Sequence, residues 1–103
     1  MFLSDDAYRL LLNVNEHPFN GIAAGQKELD ISATRLEKAK QELISKGFVQ
    51  QLELALGGRR PTAFLVLTKE GISFLESKGI DTRLWAYIGR VSFEHTLYQT
   101  LIR

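Results

Sequence analysis

The sequence predicts an α+β domain, mainly α, with three helices, a two-stranded ribbon and further helices towards the C-terminus. Three observations predict it. Apolar residues recur at helical spacing from Ala7 onward. Asp30-Ile31-Ser32 opens a helix that Lys46-Gly47-Phe48-Val49 closes. Two strand-like runs then flank Gly57-Gly58-Arg59-Arg60-Pro61, which reads as a hairpin tip, before Leu67-Thr68-Lys69-Glu70-Gly71 launches the next helix.

Taken in order, Ser4 is a good N-cap, and Asp5 and Asp6 suit the positive end of a helix dipole. Ala7, Leu10, Leu11 and Val14 fall at i, i+3, i+4 and i+7, one buried stripe. Pro18 stops this helix, and Asn20-Gly21 signals a turn. A short second helix runs from Ala23 to about Leu29, weakened by Gly25, with Ile22, Ala23 and Leu29 expected inward. Ser32 caps the third helix, where Ile31 and Leu36 are placed for a hydrophobic staple. Leu36, Ala39, Leu43 and Ile44 face inward, and Gly47 stands where a left-handed C-cap residue belongs.

In the first strand Phe48, Leu52, Leu54 and Leu56 share one face, and Gln51 and Glu53 the other. The second, from Ala63 to Leu67, is apolar throughout and expected to be the better buried. Thr68 caps a fourth helix that carries Ile72, Phe74 and Leu75 and ends at Gly79. Asp81 or Thr82 opens a last region rich in aromatics, in which Leu84, Trp85 and Ile88 can pack back on the domain. Trp85 is also, with Phe93, Leu97, Tyr98 and Leu101, a candidate for a dimerisation surface, since a small domain covers few apolar side chains alone. The division expected is a domain over 4–79 and a helical extension over 80–103, an arm to a second subunit or a link to a further domain.

At 103 residues the chain makes one domain with one core. A hydrophobic content of 45% with 24% charged residues is that of a folded chain. No apolar run approaches the roughly 20 residues of a membrane span, and the acidic N-terminus does not read as a signal peptide. Cysteine is absent, which excludes disulfides and thiolate chemistry and suits the cytoplasm. With a net charge of +1, any nucleic-acid contact must come from a local patch.

Such a patch is available. The third helix turns Ala33, Thr34, Arg35, Glu37, Lys38 and Gln41 outward. A helix end enters a major groove about 12 Å wide, where Arg reads guanine and Gln reads adenine. Arg35 and Gln41 are of these types, Thr34 can reach base or phosphate, and Lys38 suits phosphate. Gln26 and Lys27 on the preceding helix can bond the backbone at the groove edge. Glu37 is discordant, because a carboxylate repels phosphate unless it accepts from cytosine or pairs with Arg35, Lys38 or Gln41. Arg59 and Arg60 place two guanidinium groups on a flexible tip, suited to phosphates or a minor groove. The plainer alternative is a solvated face of mixed charge and a tip that serves solubility.

Ile31-Ser32 through Gly47-Phe48-Val49, the ribbon, and Leu67-Thr68-Lys69-Glu70-Gly71 together resemble the winged helix-turn-helix regulators of the MarR and PadR kinds, over about three-quarters of the chain. The resemblance implies a winged helix-turn-helix fold with a three-helix core, a two-stranded β-wing and additional C-terminal helices. It implies double-stranded DNA as partner, transcriptional regulation and a homodimer. Carried over by position, recognition falls on Ala33, Thr34, Arg35, Lys38 and Gln41, and the wing on Arg59 and Arg60. A different reading keeps the fold but docks a protein partner on the hydrophobic tail or the ribbon edge.

Chemistry for catalysis is not expected. His17 precedes Pro18 at a helix end, and Glu94 and His95, adjacent on a helix, point about 100° apart. No third ligand completes a metal site, and no cofactor motif is present.

Overall fold

Where the sequence places a hydroxyl residue ahead of a helix, that hydroxyl satisfies an amide the helix leaves orphaned. In the computed structural model, which describes residues 3–18, 21–54, 61–83 and 85, helix α1 (Asp5–Glu16) starts at Ser4, whose Oγ accepts from the Ala7 amide at 3.2 Å. Helix α2 (Ile22–Leu29) follows with Gly21 at its start and no side-chain cap. Helix α3 (Ala33–Ser45) begins with Ser32 Oγ accepting from the Arg35 amide at 3.2 Å. Strands β1 (Val49–Leu54) and β2 (Thr62–Leu67) come next, then helix α4 (Lys69–Ser77), capped by Thr68 Oγ1 on the Gly71 amide at 3.1 Å. The architecture is α+β and mainly helical, in the element order expected.

The C-termini of α3 and α4 close in the same way. The Phe48 amide donates to Leu43 and the Gly47 amide to Ile44, and the Ile80 and Gly79 amides donate to Leu75 and Glu76. Gly47 and Gly79 supply the positive φ values, 76° and 75°, that this closure needs. Helix α2 ends without a glycine: Asp30 itself takes the left-handed conformation at φ 55°. Its amide donates to Gln26 and Lys27 carbonyls, and the Gln26 side chain donates to the Ile31 carbonyl at 3.3 Å.

The strands pair antiparallel from Val49↔Leu67 to Leu54↔Thr62. As expected, β2 is the better covered: Phe64, Leu65 and Leu67 are buried, whereas β1 exposes Gln50, Gln51 and Glu53. Ala7, Leu10, Leu11 and Val14 of α1 meet Leu36, Ala39 and Leu43 of α3 and the strand residues in one core, with Ile31 beside them. At Gly71 the first turn of α4 comes so close to the residue preceding β1 that an added Cβ would collide with the Phe48 carbonyl oxygen.

Several expectations need correction. Ala23 is exposed, not inward; the buried residue of α2 is Gly25, set against the Asn13 side chain, where a Cβ would fall 3.1 Å from Oδ1. The glycine that weakens this helix is thus the point where it meets α1. Ile44 does pack against the core, though half-buried. Trp85 leaves the dimerisation set: it is buried, and its Nε1 donates to the Val14 carbonyl at 3.2 Å. Asn15 Nδ2 donates to the Asp81 carbonyl at 2.9 Å, so Asp81 and Trp85 are both tied to the C-terminal end of α1. Phe93, Leu97, Tyr98 and Leu101, the C-terminal helices and the Arg59/Arg60 tip lie outside the described residues. Among the described residues, no helix is long and apolar enough to cross a membrane.

Candidate nucleic-acid interface

Helix α3 has a buried side and an open one. At about 100° per residue, Ala33, Thr34, Glu37, Lys38 and Gln41 form one continuous face centred near Gln41. All five are exposed, and together they line a shallow open trough. Leu36, Ala39 and Leu43 occupy the opposite side, buried in the core. No other described element covers the trough.

Arg35 does not belong to this face. It sits about 130° from the face's centre, on the flank beside α1. There its Nη2 and Nε donate to Asp6 Oδ1 and Oδ2 at 2.6 and 2.9 Å. The hydrogen bonds from Arg35 hold the Asp6 carboxyl below its ordinary range, and the same bonds raise the guanidinium's pKa. A forked ion pair of this kind uses the donor geometry that reading guanine would require. Two turns further along the same flank, Glu42 accepts from the Ser4 amide at 2.9 Å and from Ser4 Oγ at 2.8 Å. These bonds, the backbone one foremost, lower the Glu42 pKa. The two contacts lock α3 to the first turn of α1 and so fix how the open face is presented.

Glu37, the discordant residue, is held by its own helix. Its Oε2 lies 2.9 Å from Lys40 Nζ, and its Oε1 accepts from Gln41 Nε2 at 3.1 Å. The Lys40 hydrogen bond and then the Gln41 one lower its pKa. Of the partners considered from sequence, Gln41 is found; Lys40, with only 13% of its side chain exposed, is the one missed. Its i+3 spacing from Glu37 was the available signal.

The remaining predicted residues divide. Lys38 and Lys27 are exposed and, among the described residues, enter no ion pair. Gln26 spends its amide on the turn between α2 and α3. Arg9 joins α1 to the end of α2 by donating to the Leu29 carbonyl at 3.0 Å. Between α1 and α2 the space lined by Leu10, Asn13, Val14 and Gly25 is about 10 Å³, at most one water. Among the described residues, no group of three or more His, Asp or Glu side chains is placed to hold a metal.

These features define a small α+β domain with one rigidly mounted, solvent-facing helix. No protein-family model, curated protein or solved structure matches the chain.

Proposed function

We propose that the domain is a winged helix-turn-helix module that binds duplex DNA, as a transcriptional regulator or the DNA-targeting part of a larger protein in the cytoplasm. The observation that carries the reading is the uncovered outward face of α3 in a molecule that buries the helix's other side. Ala33 and Thr34 are short or polar enough to approach base edges, Gln41 lies beside them on the same face, and Lys38 reaches phosphate. Lys27, near the end of α2, bonds the backbone at the groove edge, and Arg59 and Arg60 serve as the wing. Two copies joined through Phe93, Leu97, Tyr98 and Leu101 read two half-sites. The role is binding, not catalysis.

A salt titration on duplex DNA tests this reading. Affinity falls steeply with salt, and replacing both Arg59 and Arg60 with Ala makes the slope shallower by about two contacts. Absence of binding to any duplex at low salt rejects the proposal. The second reading, protein docking on the same face, draws on charge balance: Glu37 is matched by Lys40, and Arg35 by Asp6. It predicts an interaction nearly insensitive to salt.

A further inference from the structure

We propose that Glu37 is the specificity-determining residue of the α3 face and selects a cytosine, hence a G·C pair, by accepting from the base's exocyclic N4 amino group. The inference rests on α3 entering the major groove. Glu37 lies within the open face, about 150° around the helix from the α1 flank where Arg35 and Glu42 are occupied. An isolated carboxylate so close to two phosphate strands would be repelled. Here Lys40, whose side chain is largely covered, places Nζ at 2.9 Å and offsets the charge locally. The Gln41 amide at 3.1 Å fixes the orientation of the carboxylate. Each carboxylate oxygen has one such bond, and a carboxylate offers about four lone-pair positions, so acceptor capacity is left for a base.

The chemistry of the groove edge then chooses the base. Guanine and thymine present acceptor oxygens there, which repel a carboxylate. Adenine offers an amino group, but its N7 acceptor stands beside it. Cytosine offers N4 with an acceptor, the paired guanine O6, on one side only, whereas adenine N6 stands between its own N7 and the paired thymine O4, so cytosine opposes a carboxylate least. Gln41 is a positioning residue in this arrangement, since the amide that would read adenine holds Glu37 instead.

The test is selection from random duplex pools with the full chain and its Glu37→Gln variant, followed by direct titration of single-base substitutions. The wild type enriches cytosine at one position of the site, and any other base there weakens binding about tenfold. Glu37→Gln loses the cytosine preference at that position, while the preferences at the other positions of the site stand. Gln41→Ala loosens the same preference without moving it. An unchanged base preference in Glu37→Gln, or a wild type with no preference for cytosine anywhere, overturns the assignment while DNA binding stands. A wild type that binds no duplex overturns both. Circular dichroism confirms that the variants are folded.

Discussion

The flank of α3 that meets α1 and the face that meets solvent are built from the same kinds of residues to opposite ends. On the flank, Arg35 and Glu42 each find their partners on or next to the first turn of another helix, Asp6 and Ser4. On the outward face, the one ion pair is local: Glu37 and Lys40 belong to the same helix. Charges on the flank therefore orient the helix, whereas those on the face are left available to a ligand. Charge type alone does not distinguish the two; what matters is whether a second element lies within reach.

The largest effects should come from the core, which neither charge set occupies. Leu43→Ala removes a fully buried side chain and should cost about 4 kcal/mol in chemical denaturation. Gly71→Ala drives a Cβ into the Phe48 backbone, which cannot rotate away, and should cost about 3 kcal/mol. A loss from either below that of an ordinary surface substitution would break the comparison at its base.

The flank should matter less, and in a pH-dependent way. The folded pKa values of Asp6 and Glu42 are lowered from ordinary values of 3.8 and 4.5. Their stabilisation is thus present above those values and is lost as pH falls through the lower folded ones. Glu42→Gln should flatten the acid limb of a stability–pH curve and leave it unchanged near neutrality in shape. An acid limb identical to the wild type's would detach Glu42 from the clamp. Arg35→Ala should reduce stability modestly, with the difference shrinking as salt is added.

Smallest of all in stability is the open face. Lys38→Ala should leave the unfolding free energy within about 0.5 kcal/mol of the wild type. Its effect should appear in binding, as a salt slope on duplex DNA shallower by about one. If Lys38→Ala altered stability as much as Arg35→Ala, the division between flank and face would not hold.

Local patterns made most of the framework legible. Ser4, Ser32 and Thr68 cap helices as their sequence contexts indicate, and Gly47 and Gly79 end them. What lay hidden depends on approach between elements distant in sequence. Asp6 and Arg35 are separated by 29 positions, and Ser4 and Glu42 by 38, so no helical period signals either pair. Gly25 resembled a defect because a two-turn helix carries too little periodicity to show which side is buried. Asp30 takes a conformation usually left to glycine, and its residue type gave only a weak hint of that. At the candidate site, the outward positions of α3 could be listed from helical phase, but phase alone could not tell that Arg35 was already committed to Asp6.

The clasp between α1 and the residues after α4 has a practical side. It holds the only tryptophan in the sequence, with its indole N–H bonded to the Val14 carbonyl and its ring shielded. Intrinsic fluorescence therefore watches that joint and is blind to the outward face of α3. A red-shifted emission would announce that the segment has come away from α1, while an unchanged spectrum on mixing with an oligonucleotide would mean that binding leaves the joint shut.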